Sequence, residues 1–475
     1  MMKTKTPLWT SGEAAKATGG DNTRDWSASG ISINTRTLKP GDLFVALVGP
    51  NADGHDHVSE AFEKGAVAAC VSHRPPVFDP DTSLLMVDDT MKALEDLGMS
   101  SRSRFNGHMI AVTGSVGKTG TKEALNFVLA DQGKTTATLG SLNNQWGLPL
   151  SLARIPSDAE YSIMELGMNH AGELAPLSKM TKPDVCLITT VQPAHTEFFE
   201  NSEQIADAKA EIFQGAKPNW TAIINADIEE TDRLTKAAEQ QRVQTVIRFG
   251  KNLDADFRVI AYQLLATCSK VTVLTPQGCV YYTLASPGLH WVMNSLSVLA
   301  AVNAVGGDIF KAAAKLAQFT PPKSRGERFD VQMSNGAFTL IDESYNASPA
   351  AMNAAISVLG AQPKEDKSQK IAVLGDMLEL GEDTVLRHGE LAEALISSKI
   401  DSVYLAGEAM QTVWNLLPAE MHGHHSATSE MLGEIIKNAV RPGDVVMIKG
   451  SAGMRMGHIV NVLKMMDTTS ERVKG

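Results

Sequence analysis

The chain has 475 residues, of which 43% are hydrophobic, and this content excludes global disorder because it can fill real hydrophobic cores. The formal net charge is −11, with 54 acidic and 43 basic side chains. This balance argues against a nucleic-acid or anionic-membrane partner, but not against a phosphate ligand, which needs only a local positive site.

Several features of the sequence indicate a cytoplasmic protein. No run approaches about 18 uninterrupted apolar residues, so no transmembrane helix is expected. The N-terminal segment MMKTKTPLWTSGEAAKATGG lacks the apolar core of a secretory signal. The cysteines form no C-x-x-C pair and are predicted to be reduced residues that fill the cores: Cys70, Cys186, Cys268 and Cys279.

The length predicts about two to four domains, with three as the central expectation. Residues 1–106 are predicted to form a small α/β domain. DLFVALVG (42–49) and AVAACVSH (66–73) are short β-type runs, and VSEAFEKGA between them has a helical pattern. The polar link SRSRFNGH (101–108) marks the predicted boundary.

The next domain, 107–320, opens with a glycine turn that is typical of a phosphate-binding loop. The apolar run from Met109 to Val112 enters TGSVGKTG, and an amphipathic helix follows. Backbone N–H groups and the helix N-terminus can hold an anion there. Lys118 can reach the β- and γ-phosphates of a nucleotide, and the Thr119 hydroxyl can hold Mg²⁺. The loop is short, since Val112 stands where the usual first glycine would be, and the alternative is an ordinary glycine turn.

The rest of this domain predicts a parallel sheet that is covered on both faces. YSIMEL (161–166), DVCLITTV (184–191) and WTAIINA (220–226) read as strands separated by helical patterns. Residues 243–284 hold closely spaced strands and predict a smaller antiparallel patch. The helix WVMNSLSVLAAVNAV is expected after Gly288.

A second boundary is predicted at TPPKSRGER (320–328), and residues 321–475 repeat the β/α alternation of a Rossmann-like domain. The predicted strands there are FTLIDES, KIAVLGD, SVYLAG and DVVMIKG.

Polar residues at strand ends are candidates for chemistry, because ligands bind beyond the carboxyl ends of strands in open α/β sheets. Glu165 closes one strand and could take a metal ion, or it could be a solvated loop residue. His195 follows another strand, with a structural histidine as the alternative. Lys209 lies beside the apolar stripe of a helix, where a lysine usually extends to solvent. His290 and Asn294 share a helix face only if that helix starts early enough.

Six motifs, in their order and spacing, resemble the Mur ligases over nearly the whole chain: TGSVGKTGTKE, SLNNQWGLPL, MELGMNHAGEL, AKAEIF, ESYNASP and GDMLELG. The segment ISINTRTLKPGDLFVALVGPNADGHDHVSEAFEKGA resembles the uridine-nucleotide domain of two branches of this family. ESYNASP and GDMLELG favour the branch that adds D-alanyl-D-alanine. The branch that adds a diamino acid usually carries an Asp-x-Ala-His turn in place of Glu343–Asn346.

The resemblance implies roles for individual residues. The ATP phosphate loop would comprise Gly114, Ser115, Val116, Gly117, Lys118, Thr119 and Gly120. Asn294 and Asn346 match positions near adenine, while Arg325, Asp342 and Tyr345 match residues that close over the nucleotide. Glu165 and His195 match metal positions, and Lys209 matches a carbamylated lysine that can hold a second Mg²⁺. The uridine loops would contain Thr35, Arg36, Pro50, Asn51 and Ala52.

Three residues depart from the pattern of the family. Gly120 stands where Thr or Ser is frequent, which removes one hydroxyl contact. Trp291 stands where Asn often follows the histidine, and Ser324 replaces a usual glycine before Arg325. These departures affect details of nucleotide contact.

The resemblance further implies a cytoplasmic, monomeric ligase that uses ATP and two Mg²⁺ ions. A carboxylate of UDP-N-acetylmuramoyl-tripeptide would form an acyl phosphate, and the amine of D-alanyl-D-alanine would attack it, giving a precursor of peptidoglycan. The C-terminal domain is expected to close over ATP by rotation. Alternatives are a ligase for a diamino acid, a folylpolyglutamate-type ligase, which the uridine-like first domain disfavours, and a P-loop binding module without ligase activity. The presence of Lys209 and of the third-domain turn disfavours this last alternative.

Overall fold

Three α/β units follow one another along the chain, each built around its own β-sheet. The computed structural model describes residues 6–49, 52–74, 81–192 and 197–468. Within them, the three units contain a five-stranded, a nine-stranded and a six-stranded sheet. The predicted α/β class with three domains is confirmed, whereas the limits at 106 and 320 stay predictions. No helix in these ranges is both long enough and apolar enough to cross a membrane.

The first unit is a small and mostly parallel sheet with three helices. Its elements are β1 (Trp9–Thr10), α1 (Ser11–Thr18), β2 (Asp21–Asn22), β3 (Ser27–Ala28), β4 (Gly30–Ser32), β5 (Asp42–Val45), α2 (Val58–Glu63), β6 (Ala68–Val71), β7 (Leu84–Met86) and α3 (Thr90–Arg104). The sheet order is β2-β7-β6-β5-β4; β4 to β7 run parallel and β2 is antiparallel. Thr10 and Glu13 form a capping box that starts α1.

The predicted polar link between the first two units is mostly the end of a helix. Helix α3 continues to Arg104, and the Arg102 side chain is buried. Its Nε donates to Thr181 O at 2.6 Å and its Nη2 donates to Lys182 O at 2.7 Å, both in the second unit. A buried arginine can satisfy backbone carbonyls and still look polar in sequence, so the polar composition of this segment did not indicate a helix that packs on the second unit.

The second unit contains the largest sheet. Its elements are β8 (His108–Thr113), α4 (Lys118–Leu129), β9 (Thr135–Ala137), α5 (Gly147–Ala153), β10 (Tyr161–Glu165), α6 (Leu174–Thr181), β11 (Val185–Ile188), α7 (Ser202–Ala210), β12 (Thr221–Asn225), α8 (Thr231–Gln240), β13 (Thr245–Gly250), β14 (Phe257–Leu264), β15 (Ser269–Thr275), β16 (Gly278–Leu284), α9 (Leu289–Ala304) and α10 (Ile309–Leu316). The sheet order is β16-β15-β14-β13-β12-β11-β8-β10-β9.

The predicted antiparallel patch is an extension of this sheet. β13 and β14 continue the parallel arrangement, and only the pairs β14–β15 and β15–β16 are antiparallel. Residues 243–284 therefore do not form a separate layer. Local strand and turn signals identify the strands but do not say which neighbour each one pairs with.

Helices cover both faces of the parallel part, as predicted. On one face, α4, α9 and α10 pack on Ile110 and Val112. On the other face, α5, α6, α7 and α8 pack on Met109 and Ala111. Because alternate side chains of β8 enter opposite layers, the buried strand reads as a continuous apolar run.

The third unit repeats the alternation and adds an antiparallel edge strand. Its elements are β17 (Glu327–Met333), β18 (Gly336–Glu343), α11 (Pro349–Gly360), β19 (Lys370–Gly375), α12 (Thr384–Ser397), β20 (Ser402–Ala406), α13 (Met410–Leu416), β21 (His422–Ser426), α14 (Ser429–Ala439), β22 (Val445–Lys449) and α15 (Gly457–Lys464). The order is β17-β18-β22-β19-β20-β21, and only β17 is antiparallel.

The cysteine prediction is only partly correct. Cys70 and Cys186 are buried core residues, and burial raises the pKa of both thiols. Cys268 is half-buried, and Cys279 is exposed on the edge strand β16. All four are free thiols.

Strand order decides which loops meet at the carboxyl edge of the second sheet. β8 lies between β11 and β10, so the glycine loop after β8 is central. Glu165 at the end of β10 is level with Val112, and Ile188 at the end of β11 is level with Thr113. The loop, Glu165 and the segment after β11 are therefore neighbours.

Candidate active site

The glycine loop has the backbone geometry of an anion-binding turn. Gly114 and Gly117 have φ angles of 146° and 88°, which residues with a side chain rarely adopt. A Cβ at Gly114 would also lie 1.9 Å from Thr189 Oγ1. Helix α4 begins at Lys118 and runs for 12 residues, so its N-terminal N–H groups face the loop.

Lys118 folds back over this loop. Its Nζ donates to Gly114 O at 2.7 Å. Burial lowers the pKa of Lys118, Glu165 opposes that shift, and the positive charge of Arg325 adds to it. The ammonium therefore lies in the concavity where the loop would hold a phosphate, and Arg325 approaches it from the third unit.

The segment after β11 braces the loop through contacts that the sequence analysis missed. Ser115 N donates to Thr190 O at 2.9 Å, and Ser115 Oγ donates to Gln192 O at 2.9 Å. The Thr189 hydroxyl donates to Val116 O. The polar run after DVCLI was a usable signal, since polar residues at a strand end adjoin the ligand edge.

Glu165 lies beside the start of α4 and is 1% exposed. Its Oε1 accepts from Thr119 Oγ1 at 3.2 Å and from Asn143 Nδ2 at 2.8 Å. Its Oε2 is buried and makes no hydrogen bond. A buried carboxylate with one unsatisfied oxygen next to a threonine hydroxyl suits Mg²⁺, which prefers oxygen ligands. Asn143 belongs to the motif SLNNQWGLPL, for which the sequence predicted no contact with Glu165.

Lys209 does not extend to solvent. It lies in the last turn of α7 and is 2% exposed. Burial and the nearby Lys118 ammonium hold the pKa of Lys209 well below its usual range. A buried amine with a depressed pKa is neutral far more readily than a surface lysine. The other predicted metal residue on this side, His195, lies outside the described residues.

The third unit contributes a polar turn that reaches the second unit. The Tyr345 hydroxyl donates to Ser141 Oγ, and the Arg325 guanidinium lies 3.9 Å from the centre of the Tyr345 ring. Asp342 supports this turn and is itself buried: it accepts from Ser344 Oγ at 2.6 Å and from Ser324 Oγ at 3.0 Å. Ser324, noted as a departure, thus supports the turn through its side chain.

The two asparagines predicted near adenine have different surroundings. Asn294 lies against the glycine loop, because a Cβ at Gly117 would come within 2.8 Å of its Oδ1. The Asn346 side chain turns towards the third unit, where its Oδ1 accepts from Ala452 N at 3.3 Å. The structure therefore brings Asn294, but not the Asn346 amide, to the loop.

A buried charged group lies behind the turn and was not predicted. Lys449 ends β22 and donates to Asn346 O at 2.8 Å, and its Nζ is 3.7 Å from Glu343 Oε2. Burial lowers the pKa of Lys449 and raises the pKa of Glu343.

Helix α9 begins at Leu289, which is early enough for His290 and Asn294 to share a face, as the sequence analysis required. Burial and the charge of Lys449 lower the pKa of His290 to about 4.

His290 should make folding sensitive to mild acid. Its pKa is about 4 in the folded protein and 6.5 for an ordinary solvent-exposed histidine, so the unfolded chain binds a proton more readily between these values. The contribution is fully present above pH 6.5 and is lost as the pH falls towards 4. As the pH falls from about 7 to about 4, we expect the free energy of unfolding to fall by about 3 kcal/mol from this group, measured by urea titration. His290→Gln should reduce that pH dependence; an unchanged slope would contradict the assignment.

A second contact joins the third unit to the antiparallel extension. Gln362 Nε2 donates to Ala266 O at 3.0 Å, and Arg328 Nη1 donates to the same oxygen at 3.2 Å. Arg328 also donates to Gln362 Oε1 at 2.7 Å. The second and third units therefore touch at two places: at the Tyr345–Ser141 hydrogen bond and at Ala266 in the β14–β15 turn.

The residues predicted to bind uridine lie in the first unit and belong to loops around β5. Thr35 is buried and its carbonyl accepts from Lys64 Nζ at 3.1 Å, while Arg36 is exposed. Ala52 is exposed and its carbonyl accepts from Gly49 N at 2.9 Å. Pro50 and Asn51 lie outside the described residues.

An unpredicted histidine supports the loop that follows β5. His55 Nδ1 is 2.6 Å from Asp53 Oδ1, and His55 Nε2 accepts from Ser72 N at 3.0 Å. Both ring nitrogens are thus engaged in holding the loop against the end of β6. The sequence signal was the pair of polar residues Asp53 and His55, which flank Gly54 in the loop between β5 and α2.

Comparisons with known proteins agree with this geometry. Family models match residues 27–97 (Mur ligase family, catalytic domain), 112–302 (Mur ligase middle domain) and 327–452 (Mur ligase, glutamate ligase domain). The UDP-N-acetylmuramoyl-tripeptide–D-alanyl-D-alanine ligase of Rickettsia prowazekii (strain Madrid E) is 33% identical over 454 residues, which are 96% of this chain and 99% of that protein.

Solved structures agree over a similar length. A crystal structure of MurF from Acinetobacter baumannii matches with a TM-score of 0.81 and 29% identity, covering 96% of this chain and 99% of that one. The crystal structure of MurF from Thermotoga maritima in complex with ADP matches with a TM-score of 0.74 and 27% identity, covering 93% and 98%.

Proposed function

The chain belongs to the Mur ligase family, and from that membership and the geometry above we propose that it is the ATP-dependent ligase that adds D-alanyl-D-alanine to UDP-N-acetylmuramoyl-tripeptide. The reaction forms a C–N bond and yields the pentapeptide precursor of peptidoglycan. The observation that carries the proposal is the glycine loop with Lys118 and the nearby positive charge of Arg325 from the third unit, in a chain that matches such ligases over nearly its whole length.

The chemistry follows from the groups around the loop. A carboxylate oxygen of the tripeptide attacks the γ-phosphorus of ATP, ADP leaves, and an acyl phosphate forms. The deprotonated amine of D-alanyl-D-alanine then attacks the acyl carbon, and phosphate leaves. Negative charge accumulates in both steps, and the cations Lys118 and Arg325 lie where they would offset it. No covalent bond to a protein side chain is needed, so catalysis rests on positioning and electrostatics.

Magnesium fits this site. Thr119 and Glu165 would hold one ion, because Glu165 Oε2 is a buried oxygen without a hydrogen bond. When bound, Mg²⁺ supplies positive charge to the phosphate oxygens. His195 is proposed as a further ligand from the resemblance to the family.

We also propose that Lys209 carries a carbamate. Its low pKa supports this, because only the neutral amine adds CO₂. A carbamate would replace the repulsion between two neighbouring ammonium groups by an attraction, since it is an anion beside Lys118. Its two oxygens would provide ligands for a second Mg²⁺.

The remaining assignments are proposals of the same kind. Thr35, Arg36 and Ala52 would bind the uridine nucleotide. Asn294 and Asn346 are proposed near adenine, and Asp342 acts by supporting the turn of Arg325 and Tyr345. We further propose a monomeric, cytoplasmic enzyme whose third domain closes over ATP by rotation, and the contacts at Ser141 and Ala266 are where the third unit meets the second.

The test is acceptor-dependent phosphate release. We expect turnover with UDP-N-acetylmuramoyl-tripeptide and D-alanyl-D-alanine, and no turnover with UDP-N-acetylmuramoyl-dipeptide and a free diamino acid. The tripeptide should be supplied with lysine and with meso-diaminopimelate at its third position. Turnover with the dipeptide pair alone would favour the diamino-acid ligase. ATP binding without turnover for any pair would favour a binding module.

A further inference from the structure

Helix α9 packs against the glycine loop and the first turn of α4 at two points. The indole of Trp291 lies against Gly120, the third residue of α4: a Cβ there would be 2.8 Å from Trp291 Cη2 and 3.1 Å from Cζ3. One turn further along α9, Asn294 lies against Gly117, where a Cβ would be 2.8 Å from its Oδ1. Both points are at the start of α4, which also carries Lys118 and Thr119.

The indole has little room to retreat from Gly120. Trp291 is 7% exposed, and its ring meets Phe319 edge-on with 5.7 Å between centroids. The cavity beside it measures about 10 Å³ and is lined by Ala124, Leu316 and Phe319 among others. This space would hold at most one water molecule. An atom added at Gly120 must therefore displace either the indole or the first turn of α4.

The glycine itself calls for an explanation. In a helix interior, glycine costs about 0.5–1 kcal/mol relative to alanine. Gly120 needs no unusual φ angle, since it is absent from the positive-φ glycines of the described residues. The close approach of the indole is a sufficient reason, because only a residue without a Cβ admits the ring. Gly120 and Trp291, noted as separate departures from the family pattern, are in direct contact.

We propose that Trp291 is a positioning residue for nucleotide binding, and that it forms an interdependent pair with Gly120. The indole, seated on Gly120 and held by Phe319, sets the position of the first turn of α4 and thereby of Lys118 and Thr119. This inference rests on the proposed binding of ATP at the glycine loop. Because the indole is buried between Gly120 and Phe319, Trp291 acts on the nucleotide through α4.

The experiment is a double-mutant cycle with Gly120→Ala and Trp291→Phe. Phenylalanine retains an aromatic ring next to Phe319 but lacks the distal ring atoms that the new Cβ would meet. Dissociation constants for ADP are measured by calorimetry, KM for ATP and kcat by phosphate release, and melting temperatures by circular dichroism. Gly12→Ala is the matched control, because Gly12 is a helical glycine whose Cβ would meet nothing within 4 Å.

We expect Gly120→Ala in the original background to weaken ADP binding by about tenfold or more, since overpacking costs about 1–3 kcal/mol. In the Trp291→Phe background the same change should weaken ADP binding by less than about threefold. KM for ATP should follow the ADP constants, and Gly12→Ala should leave both unchanged.

Two results would overturn the pairing. One is an equal loss of ADP affinity from Gly120→Ala in both backgrounds. The other is a change confined to the melting temperature, with unchanged ADP and ATP constants, which would make the contact merely structural. If Gly120→Ala does not fold, Trp291→Phe alone decides: ADP affinity equal to that of the original chain, with no change in KM for ATP, contradicts the inference. Absence of ADP binding in the original chain would instead refute the proposed function.

Discussion

Lys118→Ala is expected to abolish acceptor-dependent release of ADP and phosphate. The side chain lies over the glycine loop, where its Nζ already contacts Gly114 O at 2.7 Å. The variant lacks the positive charge that Lys118 places at the glycine loop, where the γ-phosphate is proposed to bind. The negative charge that builds up in the reaction is then less well stabilised. We expect kcat/KM to fall by at least about a thousandfold, which is about 4 kcal/mol of transition-state stabilisation.

The matched control for Lys118 is Lys236→Ala, because Lys236 is an exposed lysine on α8. Its turnover should equal that of the original chain. Circular dichroism should show that the Lys118 variant keeps its secondary structure. Turnover of that variant within about tenfold of the original would contradict the assignment of the glycine loop to ATP.

The second large effect is expected at Lys209. Lys209→Arg has no amine that adds CO₂ and places a guanidinium charge at this buried position, so it should lower kcat by at least about a hundredfold. In the original protein, incubation with ¹³C-bicarbonate should produce a carbamate signal in the NMR spectrum, because burial and the Lys118 charge lower the pKa of the amine and so favour the form that adds CO₂. The signal should be missing from Lys209→Arg.

Lys179→Arg is the control for this experiment, since Lys179 is an exposed lysine in the last turn of the neighbouring helix α6. It should retain both the carbamate signal and the turnover. Full activity of Lys209→Arg, or an unchanged carbamate signal in that variant, would refute the carbamate at this position. Loss of activity without any carbamate signal in the original protein would leave Lys209 acting as an amine, which also contradicts the proposal.

Local rules sufficed for the glycine loop and for the alternation of strands and helices. The run from Met109 to Val112 is apolar because β8 is buried on both faces, and Gly117 is required by its left-handed φ of 88°. Lys118 and Thr119 then begin α4 by position alone. Such features depend on residues that are close in sequence, so a pattern can predict them.

The features that the sequence did not predict depend on partners that are distant in sequence. The link at 101–108 is polar in sequence, yet Arg102 is buried because carbonyls some 80 positions away accept its donors: Thr181 O and Lys182 O. Residues 243–284 were predicted as a smaller antiparallel patch; β14–β15 and β15–β16 do pair antiparallel, whereas β13 and β14 continue the parallel sheet. In each case the partner is distant in sequence, and local composition carries no information about it.

By itself, the sequence determined the fold class and the position of the glycine loop, because strand and helix periods and the glycine turn are local properties. The family was indicated by the resemblance of six motifs in their order and spacing. Only the tertiary structure decided which side chains become neighbours. It buried Lys209 within reach of the Lys118 charge, brought Tyr345 to Ser141, and placed Trp291 on Gly120. The physical reason is that burial, pKa and steric fit depend on distances through space, which strand order and helix packing set.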